Sequence, residues 1–103
     1  MQDQFESIGR FETPNAQKYL VQLCKHFAHK IPAEVEGDQG HITFAMGTAR
    51  LSATDASLDV VVTGADDQAV NRLQQVIEDH LKRFAFREAE TSMIWAPATA
   101  AQA

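Results

Sequence analysis

The chain has 103 residues, 45% of them hydrophobic and 22% charged, with a formal net charge of −5. That length suits one globular domain burying roughly 60–70% of its unfolded surface, and no apolar run approaches the roughly 20 residues of a membrane-spanning helix. The nine Lys and Arg are scattered along an acidic chain, which removes the usual electrostatic footprint of nucleic-acid binding. The start, MQDQFESIGR, lacks the basic and apolar regions of a signal peptide. The lone cysteine, Cys24, cannot close an intramolecular disulfide. Both features point to the cytoplasm.

Residues 5–11, FESIGRF, can add a strand ahead of the first helix. Residues 14–31 predict that helix, because at about 100° per residue Leu20, Leu23, Cys24, Phe27 and Ile31 share one face. Thr13 supplies a capping oxygen, Pro14 fits the first turn, and Pro32 stops the helix. The period then changes to two, predicting strands at 33–36, 41–46, 49–54 and 57–63. Facing apolar residues across each pair gives three hairpins. Asp38–Gln39 is the first loop, with Val35 opposite Ile42, Ala33 opposite Phe44 and Glu36 opposite His41. Gly47–Thr48 is the second, with Met46 opposite Ala49 and Phe44 opposite Leu51. Asp55–Ala56 is the third, pairing Ala53 with Leu58 and Leu51 with Val60.

A second helix is predicted over 67–85, capped by Asp66 or Asp67, with Val70, Leu73, Ile77, His80, Leu81 and Phe84 on its apolar stripe. Residues 91–95, TSMIW, can add a last strand with Trp95 as its anchor, and 96–103 reads as a loose tail. The expected fold is a single α+β domain over 1–95. It is a two-layer sandwich in which an antiparallel meander sheet carries two helices on one face, in the order β-α-β-β-β-β-α-β.

Three places can carry chemistry. His80 lies within the apolar stripe, where an imidazole needs a hydrogen-bond partner, and Cys24 faces the core of the other helix. A thiol beside an imidazole can become a nucleophile, which makes Cys24 and His80 catalytic candidates, although no orienting group or oxyanion site accompanies them. His26 and His29 occupy neighbouring positions on one helix surface, a spacing two metal ligands can share, with His41 or His80 as further ligands. Cys24 points well over 90° away from His26, so it cannot join them. The open face of the sheet carries Glu34, Glu36, His41, Thr43, Arg50, Ser52, Asp59 and Thr63. Arg50 is the residue there suited to an anion or a subunit contact.

The runs YLVQLCKHFAHK (19–30), GHITFAMGTARLSA (40–53) and HLKRFAFRE (80–88) resemble the bacterial family named domain of unknown function 2218. The most specific matches are Cys24, Lys25, His26, His29, His80, Leu81, Arg83 and Phe84. The resemblance implies a fold and a size but no reaction. It also implies an association with siderophore-interacting flavin reductases, and hence with iron handling. The expected function is a small non-enzymatic binding or interaction module that self-associates as a homodimer. Binding of metal or haem through the helix histidines is the alternative, and a thiol-dependent enzyme the third reading.

Overall fold

Alternating side chains at the centre of the sequence organise the molecule. The computed structural model describes residues 4–86, 88, 93–97 and 99–100. Along these run β1 (Phe5–Glu12), α1 (Ala16–Ala28), β2 (Ala33–Glu36), β3 (Gln39–Phe44), β4 (Gly47–Ala53), β5 (Ser57–Gly64), α2 (Asp67–Phe84), β6 (Ile94–Trp95) and β7 (Thr99–Ala100). All pairings are antiparallel. The sheet order is β2-β3-β4-β5-β1-β6, with β7 also pairing β1. Both helices cover one face, which gives the expected α+β sandwich.

The β4–β5 hairpin has the predicted register, with Ala53 opposite Leu58 and Leu51 opposite Val60. The other two hairpins are corrected. β2 pairs β3 through Ala33–Ile42, Glu34–His41 and Val35–Gly40, so the turn is Gly37–Asp38 and Glu36 faces Gln39. β3 pairs β4 through Phe44–Gly47, Ile42–Ala49 and Gly40–Leu51, so Ala45–Met46 form the turn. Each shift moves a partner by an even number of residues, and an even shift leaves every side chain on its predicted face. Gly37 suits the first of these turns. Gly37, at φ 62°, takes the first turn position that favours glycine. A Cβ on Gly40 would stand 2.8 Å from the Cys24 Sγ, so this position admits the thiol only as glycine.

α1 is shorter than the expected 14–31. The Thr13 hydroxyl does not cap it but accepts a hydrogen bond from the Asn15 amide at 3.0 Å, and the helix starts at Ala16. Asp66 caps α2 as expected, its Oδ1 accepting from the Ala69 amide at 2.8 Å. Leu20, Leu23, Ile42, Leu51, Leu58, Val60, Val62, Leu73, Ile77 and Leu81 are fully buried between the layers. At about 1.5–3 kcal/mol for each such side chain, this seam is the main source of stability.

β6 is fixed to the helix layer. The Trp95 ring lies over Gly9, where a Cβ would approach it to 2.5 Å. The indole donates to Glu78 Oε1 at 3.0 Å, while the Met93 amide donates to Glu78 Oε2 at 3.2 Å. Positions 91 and 92 of the predicted strand lie outside the described residues. Ala96, expected at the start of a loose tail, donates its amide to the Ile8 carbonyl at 2.9 Å, and Thr99–Ala100 pairs β1.

Candidate functional site

The helix-free face of the sheet is laid out in cross-strand rows. One runs Glu34, His41, Arg50, Val61, Ile8, and the next runs Glu36, Gln39, Ser52, Asp59, Arg10, Ile94. At the β2 end, Glu34, Glu36, Gln39, Gly40, His41 and Arg50 line a shallow depression of about 300 Å³. Arg10 is occupied, its Nε donating to Asp59 Oδ1 at 3.0 Å. Among the described residues neither Arg50 nor the neighbouring carboxylates of Glu34 and Glu36 enters an ion pair. His41 and Arg50, which the sequence singles out, are therefore adjacent, exposed and at one site.

The histidines of the helices are brought together differently from expectation. The His26 and His80 rings meet across α1 and α2 with centroids 4.8 Å apart, and His80 also packs on Phe27 at 4.8 Å. His26 leans on Phe27 and Phe84 at 5.2 and 5.8 Å. His80 is half-buried rather than a full core residue, and its Nδ1 lies 2.8 Å from the Val76 carbonyl one turn back. That carbonyl is the partner its position on the stripe demanded. Loss of water around the His26 ring pushes its pKa down, and the charges of His80, His29, Arg83 and Lys30 push the same way. His29 is exposed at the carboxyl end of α1. Among the described residues no group of three or more His, Cys, Asp or Glu is arranged to hold a metal ion.

Cys24 and His80 do not form the thiol–imidazole pair. The sulfur faces Gly40 of β3, whereas His80 meets the opposite flank of α1 through His26. Burial pushes the thiol pKa up, outweighing a hydrogen bond with the His41 backbone. A raised pKa and an enclosed sulfur make a packing residue rather than a nucleophile. Iodoacetamide at neutral pH should label native Cys24 at least about tenfold more slowly than the urea-unfolded chain. Equal rates would show that the sulfur is open to solvent.

The family model of an uncharacterized protein conserved in bacteria, DUF2218, matches residues 9–96. The chain belongs to this DUF2218 family. Among solved structures it is similar to the NMR structure of PA4090 from Pseudomonas aeruginosa, at 30% sequence identity and a TM-score of 0.77, covering 90% of this chain and 96% of that one. No curated protein matches.

Sequence reasoning missed one polar cluster in this DUF2218 chain. The Glu88 carboxylate accepts from the hydroxyls of Thr13 at 3.2 Å and Tyr19 at 2.8 Å, and from the Asn15 amide group at 2.8 Å. It joins the segment after α2 to the start of α1. Bonds from Asn15 and Tyr19 hold the Glu88 carboxyl below its ordinary value, with smaller help from Thr13 and Lys18. Burial, then Glu88, pushes the Tyr19 phenol up. No local motif announces a contact between residues 69 to 75 positions apart. The signal that could have found it is Tyr19 beside Leu20, since a buried tyrosine needs a partner for its hydroxyl.

Proposed function

We propose that this chain is a small non-enzymatic binding module whose ligand lies on the open sheet face, in the depression over β2, β3 and β4. The observation that carries this reading is the set of unpaired opposite charges there. Arg50 and His41 can take a carboxylate, and Glu34 and Glu36 can take an amine. Adjacent strands stand about 4.8 Å apart, so the Arg50 and Glu34 backbones are separated by about 10 Å. That span fits a small molecule carrying both kinds of group. A volume of about 300 Å³ lies at the small end of ligand sites. The flavin-reductase association carried by the family resemblance makes a chelator bearing carboxylates and amines the ligand of first choice.

Titration of the 15N-labelled protein with ornithine, which carries both groups, should shift the amides of residues 34–36, 39–41 and 50. Arg50→Ala should weaken binding at least about tenfold, the scale of one charge-assisted contact of about 1.5–3 kcal/mol. Absence of any shift at millimolar ornithine, or binding unaffected by Arg50→Ala, would overturn the reading. Sedimentation gives the competing outcome. Ile8 and Ile94, exposed by 52% and 73%, lie on the same face, and a dimer dissociated by Ile8→Glu would replace ligand binding with pairing of two copies.

A further inference from the structure

We infer that His26 and His80 form a two-imidazole site for a divalent transition-metal ion, Zn2+ or Cu2+, on the seam between α1 and α2. The tautomer of His80 is the first support. Its Nδ1 lies 2.8 Å from the Val76 carbonyl, and a carbonyl only accepts, so Nδ1 carries the hydrogen. The neutral ring then keeps its lone pair on Nε2. A backbone carbonyl behind one ring nitrogen is the arrangement that orients metal-binding histidines and raises their basicity.

The spacing of the rings is the second support. An imidazole nitrogen binds zinc at about 2.0–2.1 Å. Adding the distance from nitrogen to ring centre, two imidazoles sharing one ion stand on the order of 4.5–5.5 Å apart between centres. The His26 and His80 centroids are 4.8 Å apart, with the rings tilted by 50°. The rings are on different helices and are braced by Phe27 and Phe84, so the pairing is set by the packing of the fold.

The surroundings select the kind of ion. Lys30 and Arg83 are close enough to act on the His26 charge, and both repel a cation there. Attraction must come from nitrogen lone pairs, which favours borderline transition metals over Mg2+ or Ca2+. With two protein ligands the remaining coordination positions go to water, which makes the ion exchangeable rather than structural. The sequence expectation paired His26 with His29 and offered His41 or His80 as a further ligand; here the partner of His26 is His80.

The test is titration of the full chain with ZnCl2 and with MgCl2 in a non-chelating buffer, following the imidazole resonances by 15N–1H NMR. Zinc should move the His26 and His80 signals together, while His29 and His41 move little and magnesium moves none. His26→Ala removes an exposed ring and should weaken zinc binding at least tenfold; His80→Ala should do the same wherever its amide spectrum shows the native fold. Arg50→Ala should leave zinc binding unchanged, since the sheet-face site is separate. Zinc affinity unaltered in His26→Ala, or shifts confined to His29 or His41, would overturn the inference.

Discussion

Gly47→Ala should lower the free energy of unfolding by more than about 3 kcal/mol, at the severe end for a single substitution. A Cβ at this position would lie 2.1 Å from the Thr63 carbonyl oxygen, 3.0 Å from Leu73 Cδ1 and 3.1 Å from the Gly64 Cα. Two of those three atoms are backbone of β5, which cannot retreat without breaking the β4–β5 ladder at the Gly47–Gly64 pair. Leu73 is fully buried and has no free space to enter. Gly37→Ala is the control. Its φ of +62° disfavours a side chain, but nothing lies within 4 Å, so the expected cost is about 1 kcal/mol. Urea unfolding with a common m-value measures both. A Gly47→Ala variant no less stable than Gly37→Ala would refute the packing argument.

Glu88→Gln should destabilise the protein at neutral pH by about 1–2 kcal/mol, because a carboxylate accepting three hydrogen bonds becomes a weaker, partly donating amide. The loss should also depend on pH. The folded Glu88 carboxyl is held below its ordinary value of 4.5. The unfolded chain therefore binds this proton more readily, and protonation favours unfolding. The Glu88 contribution is complete above the unfolded value and disappears as pH falls through the lower folded one. Urea curves at pH 7, 4 and 3 should show the gap between parent and Glu88→Gln shrinking toward acid. A gap independent of pH would mean that the carboxylate charge is not what ties α1 to the segment after α2.

The helices were legible because their apolar stripes are long and one-sided, and Asp66 announced the start of α2 through a local interaction. The β4–β5 register was legible for a related reason. A two-residue loop at Asp55–Ala56 sets Leu51 opposite Val60 and Ala53 opposite Leu58, the register that forms. The first two hairpins were not fixed in this way, because facing apolar residues cannot distinguish Val35 opposite Ile42 from Val35 opposite Gly40 when both choices keep the same faces. At the first of them the observed turn uses the backbone twist available at Gly37, which is not a matter of hydrophobicity.

The candidate sites divided along similar lines. Glu34, His41 and Arg50 could be assigned to the open face from alternation alone, and they remain there despite the changed register. The meeting of His26 and His80 depended on how the two helices lie against each other. Helical spacing describes one rod at a time, so it grouped His26 with His29 and left its true neighbour on another element. Glu88 was further beyond reach, since its partners lie at the opposite end of the sequence.

The position of β1 between β5 and β6 has a consequence for how the molecule comes into being. Phe5 pairs with Gly64 and Glu12 with Ser57, so β1, which precedes the meander in sequence, has no β5 neighbour until the whole meander has been made. Closing so long a loop is slow compared with zipping adjacent hairpins. The meander can assemble early, while the nascent amino-terminal strand waits as an unpaired ribbon. Completion of the sheet is thereby a late event that joins both ends of the chain.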